Sequence, residues 1–323
     1  MKLDHIENLY RPEAQIILMF RECYALEKIH GTAAGFSFDQ STNEISFQSG
    51  GESYSRFVSL FNQEQIIQGI KNLGIPVDKI IEIYGEAYAG SQQGMSHTYG
   101  KTLKFIVFDV KIGDNFLNVP DAEDVAKKLG LEFVYYTKVP LIRAVQNELG
   151  ILVTETYLGG IDAQRDLPSM QAVRNGVSTP EAFTKGEGPK REGVVLRPLV
   201  EMTLNNGSRI ITKHKGDAFK ETATARPVVD PSKLIVLEEA TAIANEWVTN
   251  HRLGHILQKI QPVYLKGEIP IFDMSQIPQI ITAMTNDVIR EAEGEIVVSD
   301  AAKKAIGKKA VELFRGYLNS QVK

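Results

Sequence analysis

The sequence predicts an α+β protein: a mixed-sheet body over residues 1–230, followed by a small all-helical domain over 231–323. Through the first two thirds, short β-branched and aromatic runs alternate with Gly, Pro and Asn punctuation. From about residue 232 that alternation stops. The stretches "DPSKLIVLEEATAIANEWVTNHRLGHILQKI", "MSQIPQIITAMTNDVIREAEG" and "SDAAKKAIGKKAVELFRGYLNS" carry helical periodicity instead. Pro227 and Pro231, in "ATARPVVDPS", interrupt the chain between the two regimes. A chain of 323 residues exceeds one average domain, which agrees with two.

In chain order the strand candidates are "ALEKIHGTAAGFSFD", "NEISFQS", "KIIEIYGEAY", "KTLKFIVFDVKIG", "EFVYYTKV", "REGVVLRPLVEM" and "SRIITKHK". Each is short, rich in residues that suit a pleated surface, and bounded by turn formers. Two helices are expected within the body. "NQEQIIQGIKNLG" and "PDAEDVAKKLG" both close on glycine, and the second opens near Pro120.

Composition excludes some chemistry. Cys23 is the single cysteine, so there is no intrachain disulfide framework and no multi-cysteine zinc site, and the usage suits a reducing cytosol. The N-terminal "MKLDHIENLYRPEAQ" is broken by charges and Pro12, and no apolar run approaches membrane-spanning length, so a cytoplasmic protein with no membrane partner is expected. A net charge of -4 argues against a uniformly basic nucleic-acid coat, although a local basic groove is compatible with it.

The pattern Lys-x-x-Gly is common in the chain; besides Lys28, it occurs at Lys71, Lys127 and Lys185 among other places. Lys71 and Lys127 fall in the last turns of amphipathic helices, where Gly is a C-cap and Lys complements the dipole. Lys185 lies in a polar loop and reads as solvated. Lys28 differs, because its neighbours are strand-like. An amine attacks only when neutral, so a working lysine needs desolvation or nearby cations. Lys213 and Lys215 are two apart on a strand and share a face, where they either press on Lys28 and hold phosphates or simply guard an exposed edge. Glu86 and Glu192 each stand beside a glycine, as carboxylates next to a bound nucleotide or metal would, or as ordinary strand-end residues. Phe108 is either core or a base-stacking ring, with Asp109 on the opposite side of the strand. His30 is a site residue or a buried, hydrogen-bonded imidazole, whereas His97 and His214 read as scaffold.

The ordered set "EKIHG", "YGEAY", "FIVFDV", "EGVVLRP" and "TKHK" resembles the successive motifs of the covalent nucleotidyltransferases, the superfamily of ATP-dependent ligases and mRNA capping enzymes. Histidine at position 30, where DNA ligases and capping enzymes usually have aspartate, resembles the RNA ligase 2 family of bacteriophages and its kinetoplastid RNA-editing relatives. The resemblance covers residues 25 to 220. It implies an ATP-grasp-like ligase domain over 1–230 for adenylyl transfer, with the helical C-terminal domain after it. It also implies an RNA-repair enzyme, an ATP-dependent RNA ligase that uses ATP and Mg²⁺, with Mn²⁺ able to substitute. Lys28 would attack the α-phosphate of ATP to give lysyl-AMP; AMP would pass to a 5′-phosphate, and a 3′-hydroxyl would displace it. The expected partner is a nicked duplex of RNA or RNA/DNA, the expected state a monomer, and the expected location the cytoplasm, a host's if the chain is of phage origin.

By the same resemblance His30 would be catalytic, as a phosphate-side or end-binding group, Glu86 would contact the ribose, Phe108 would stack on adenine and Glu192 would bind metal. Lys213 and Lys215 contact the α-phosphate, while Glu27, Ile29 and Arg197 complete the nucleotide contacts. Two positions depart from the family pattern. Gln48 stands where an arginine is usual, so either Gln48 substitutes without charge or Arg56 comes in from the following loop. Arg197 stands where lysine is usual, trading a point cation for a planar fork. DNA ligases and capping enzymes carry a β-rich OB-fold after this domain, and nothing after residue 232 reads as one. In the last helix Lys304, Lys308 and Arg315 fall within about 40° of one another, opposite Ile306, Leu313 and Tyr317. That basic face is either an ordinary solvated one or one that tracks a duplex backbone. A capping-type guanylyltransferase and a nucleic-acid end-binding protein on a degenerate ligase scaffold remain the alternative readings.

Overall fold

A computed structural model describes residues 5–148, 152–224, 228, 236–260 and 272–321. The chain divides into two compact units, residues 1–216 and 217–323. The boundary expected at 230/231 lies outside the described residues.

The first unit holds two five-stranded sheets and a separate hairpin. Sheet A joins β1 (Glu7–Asn8), β12 (Thr212–Lys215), β11 (Gly193–Pro198), β2 (Glu22–Lys28) and β8 (Tyr136–Pro140), in that order. All its pairings are antiparallel except β1 with β12. Sheet B is antiparallel, in the order β4 (Glu44–Ser49), β3 (Thr32–Asp39), β5 (Ile80–Tyr88), β6 (Lys104–Ile112), β7 (Asn115–Phe116). β9 (Ile142–Gln146) and β10 (Leu152–Thr156) form the hairpin.

The run 25–39, read as one strand, is two. The chain leaves sheet A at Lys28, crosses through Ile29, His30 and Gly31, and enters sheet B at Thr32. Gly31 explains the break: a Cβ there would stand 2.4 Å from the Ala87 carbonyl oxygen, so only glycine lets the crossover press against β5. The run "EFVYYTKV" is likewise shorter than expected, because its regular strand begins only at Tyr136.

Short helices connect the sheets: α1 (Tyr54–Val58), α2 (Gln63–Asn72), α3 (Ser96–Tyr99), α4 (Val119–Lys128), α5 (Gly159–Arg165), α6 (Met170–Arg174) and α7 (Pro180–Thr184). α2 and α4 are the two expected from sequence. The Asn62 side chain caps α2 by accepting from Gln65 N, α4 carries Pro120 in its first turn, and Gly74 and Gly130 follow the helices at positive φ. α1 is too short for periodicity to reveal. Phe57 anchors it, packing with Phe61 of the following loop and with Phe47 and Phe105 on sheet B.

The second unit packs α8 (Ala240–Trp247), α9 (Asn250–Lys259), α10 (Ile277–Glu291) and α11 (Asp300–Gln321) around Trp247, Leu253, Ile256, Met284, Ile306 and Phe314. Arg252 is buried, donating to Asp287 Oδ2 at 2.6 Å and to the Trp247 carbonyl at 2.8 Å. No described helix is long and apolar enough to cross a membrane.

Candidate active site

The register of sheet A sets one face of the site. Gly193 lies opposite both Lys28 and Lys215, and Val195 opposite both Leu26 and Lys213. Side chains alternate along a strand, so Leu26, Lys28, Val195, Arg197 and Lys213 point the same way, and all line a cavity of about 270 Å³. Ala33, Glu86, Phe108 and Phe116 of sheet B line it too, so the cavity lies between the sheets. A Cβ at Gly193 would stand 2.2 Å from the His214 carbonyl oxygen, so glycine is needed for β11 and β12 to close this wall.

Lys28 is the last residue of β2, with its side chain 24% exposed. The Lys-x-x-Gly lysines Lys71, Lys127 and Lys185 are all exposed, the last two in ion pairs along their own helices. Glu192 is 2% exposed and serves three groups. Its Oε2 accepts from Lys28 Nζ at 2.9 Å and from His30 Nδ1 at 2.9 Å, and its Oε1 pairs with Lys215 Nζ at 3.1 Å. A carboxylate can only accept, which assigns the Nδ1 proton of His30. Burial alone would raise the Glu192 carboxyl, but Lys28, Lys215 and His30 hold it well below the usual carboxylate range. Of the two lysines read either as pressing on Lys28 or as guarding an exposed edge, Lys215 reaches the carboxylate that Lys28 also holds.

Glu86 is placed on the facing wall. Burial pushes its carboxyl up to about 8, against the pull of Lys28 and with the repulsion of Glu192 added. The folded state therefore keeps a proton that the unfolded chain loses near 4.5, so this group's stabilisation is full below about pH 4.5 and is lost as pH rises towards 8. The melting temperature of Glu86→Gln should accordingly gain on the wild type from pH 5 to 8 and level off above. A difference that stays constant across thermal melts in that window would disprove the burial argument.

Phe108 and Asp109 do not face opposite ways as alternation predicts. Tyr84 pairs with Asp109 and Gly85 with Val107, which leaves Phe108 as the extra residue of a β-bulge, and both side chains line the cavity. Asp109 accepts from Arg197 Nη1 at 3.1 Å and Arg209 Nη1 at 2.6 Å, and Glu201 binds both arginines at 2.6 Å. Arg197 thus lines the cavity as a member of a neutralised network, not as a phosphate-side cation. It lies four residues along β11 from Gly193, roughly 13 Å at about 3.3 Å per residue. Arg209 and Phe116, stacked at 3.6 Å, join that end of the cavity and were missed from sequence, as was Val195.

Ile29 lines the cavity, and His30 is 5% exposed. The Glu27 carboxylate is turned away, accepting from Ser169 Oγ at 2.5 Å and Met170 N at 3.0 Å, so it anchors β2 and leaves main chain to the cavity. Gln48 is exposed on β4, and Arg56 is held at 3.3 Å by the buried Glu52; neither lines the cavity. His97 is exposed and His214 is bound to Asp162, in keeping with scaffold roles. On α11, Lys304, Lys308 and Arg315 are exposed, while Ile306, Leu313 and Tyr317 pack inward.

A family model described as RNA ligase matches residues 21–215. Among solved structures, Naegleria gruberi RNA ligase with pyrophosphate is similar at 16% identity and TM-score 0.47, covering 68% of this chain and 57% of that one. A lysine-to-methionine mutant of that ligase with AMP and Mn is similar at 15% identity and TM-score 0.47, with 68% and 57% covered. A lysine-to-alanine mutant with ATP and Mn gives 15% and 0.46, with 68% and 56% covered. The matches thus span little more than half the length of those chains. No curated protein matches.

Proposed function

Because the chain belongs to the RNA ligase family, whose model spans residues 21–215, we propose that it is an ATP-dependent RNA ligase that joins 3′-hydroxyl and 5′-phosphate ends at nicks in duplex RNA or RNA-containing hybrids. The observation that carries this reading is Lys28, placed at one end of a nucleoside-sized cavity and sharing the buried Glu192 carboxylate with His30 and Lys215.

In this reading the base lies between Phe108 and Val195, and the sugar meets the Glu86 carboxyl, uncharged below about pH 8. The phosphates lie towards Lys28, Lys213 and Lys215. An ammonium donating to a carboxylate has no free lone pair, so attack requires Lys28 to leave Glu192 and lose a proton. Its nitrogen then bonds to the α-phosphorus as the bond to the leaving pyrophosphate breaks. A 5′-phosphate oxygen next attacks that phosphorus, the nitrogen–phosphorus bond breaks, and Lys28 regains its proton. Finally a 3′-hydroxyl attacks the activated 5′-phosphate and expels AMP. Negative charge builds on phosphate oxygens throughout, and Lys213 and Lys215 are the cations on hand to stabilise it.

Glu192 is an ionised carboxylate at this end of the cavity, and once Lys28 leaves it, its oxygen would suit a hydrated Mg²⁺ or Mn²⁺ that takes one carboxylate together with phosphate oxygens. A divalent ion held there would add further neutralisation of the phosphate charge. Gln48, Arg56 and the α11 face of Lys304, Lys308 and Arg315 are the proposed contacts to the polynucleotide, with the protein acting as a monomer.

The test is incubation of the pure protein with ATP and Mg²⁺, denaturation, and intact mass. One AMP mapping to Lys28 is expected. An adduct formed with GTP alone would favour a capping-type guanylyltransferase, and RNA binding without any adduct an end-binding protein.

A chain ending at residue 216, where the first unit closes one residue past the family match, is expected to form the adduct within about threefold of the full rate. Its nick sealing should fall roughly tenfold or more through lost phosphate contacts. Normal sealing by that chain would remove the helical unit from the proposal.

A further inference from the structure

The crossover that follows Lys28 is clamped from a segment the sequence did not single out, the loop 89–100 between β5 and β6. His30 N–H donates to Tyr99 Oη at 3.3 Å, and Gln93 Nε2 donates to the Gly31 carbonyl at 3.1 Å. His30 Nδ1 is meanwhile held on Glu192, and Gly31 is pressed against Ala87. Tyr99 is buried against Tyr88.

The loop is contorted to make these contacts. Ala89 and Gln93 have φ of 65° and 52°, in the left-handed region that side chains disfavour, and Gly90, Gly94 and Gly100 are also positive. Non-glycine residues persist in that region only where their surroundings over-determine them, and they concentrate at functional sites. Next to Gln93, Gln92 donates to Glu52 Oε2 at 2.7 Å, and Glu52 in turn holds Arg56. One strained turn is thereby bonded both to the peptide after His30 and to the carboxylate that anchors Arg56.

We propose that the 89–100 loop is a positioning brace for the nucleophile. Gln93 is held in its left-handed backbone so that its amide fixes the Gly31 carbonyl. Tyr99 fixes the His30 peptide, and together they keep Lys28 and His30 aimed at the reacting phosphate. Neither residue touches the nucleotide. The inference rests on the ligase reading for its rate measurement but not for its structural one.

Four variants test it: Gln93→Gly, Gln93→Asn, Tyr99→Phe and Ala89→Gly. Glycine and asparagine both accept the left-handed backbone, but neither reaches Gly31. Gln93→Gly should therefore melt no lower than the wild type, yet its adenylylation rate at saturating ATP should fall about tenfold to a hundredfold, as for a misplacement near 1 Å. The ATP concentration at half-maximal rate should change by less than about threefold, because ground-state binding is left intact. Gln93→Asn should behave alike, and Tyr99→Phe should lose rate in the same direction. Ala89→Gly relieves strain and removes a buried methyl but neither hydrogen bond to the crossover, so its rate should match the wild type.

An unchanged rate in Gln93→Gly, or an equal loss in Ala89→Gly, would overturn the brace. Amide hydrogen exchange supplies the readout that needs no activity: protection of the His30 amide should drop in Tyr99→Phe, and unaltered protection would overturn the contact itself. Wild-type protein that forms no adduct while the exchange result holds would overturn the ligase reading and leave the brace as architecture.

Discussion

Replacing Lys28 by alanine is expected to reduce AMP transfer to background, because in the proposed reaction its nitrogen forms the bond to phosphorus while Lys213 and Lys215 only stabilise charge. The fold should survive. Lys28 is partly exposed, and Glu192 keeps His30 and Lys215 as partners. The lost ion pair should cost about 1 kcal/mol, roughly 2–4 °C in a domain of this size. Intact mass after incubation with ATP and Mg²⁺, alongside thermal melts, decides the matter. A substantial adduct on a folded Lys28→Ala protein would sink the assignment of the nucleophile.

Glu192→Gln should act on both stability and rate. The amide keeps the shape but leaves two ammonium groups and an imidazole around a neutral side chain. Removing one member of a buried charge cluster costs about 3–5 kcal/mol, or roughly 6–20 °C here. The wild-type Glu192 carboxyl lies well below its ordinary 4.5, so its stabilisation is full above that pH and is lost as pH falls through the folded value. The variant's deficit should therefore shrink in acid. Adenylylation should fall by about a hundredfold or more through loss of electrostatic support to the phosphates. If Glu192 served only to restrain Lys28, the variant would label faster than the wild type, and that result would exclude its proposed part in holding phosphate-bound metal.

The strands that carry Lys28, Glu86 and Lys213, and the one that Glu192 directly precedes, were legible because each is a short apolar run bounded by turn formers, and because the spacing of Lys213 and Lys215 states a shared face. Three things were not legible. The bulge at Phe108 breaks alternation, and nothing in "FIVFDV" marks which residue is extra. Arg209 and Phe116 join the cavity only because the two sheets face each other, a relation between strands far apart in sequence. The helices between residues 159 and 184 run to five or seven residues each, too short for a 3.6-residue period to repeat. The loop 89–100 was passed over for a related reason. "AGSQQGMSHTYG" reads as a polar connection, and its worth lies in backbone angles that composition does not report.

Sheet A places its oldest and newest residues side by side. β2, made early in synthesis, has its neighbour β11 more than 160 residues later, and β1 waits for β12. A growing chain thus extends 164 residues past Lys28 before Glu192 is made, and further still before Lys213 and Lys215. On the proposed reading, a fragment that ends before Glu192 lacks that carboxylate together with Lys213 and Lys215, and it should not capture nucleotide.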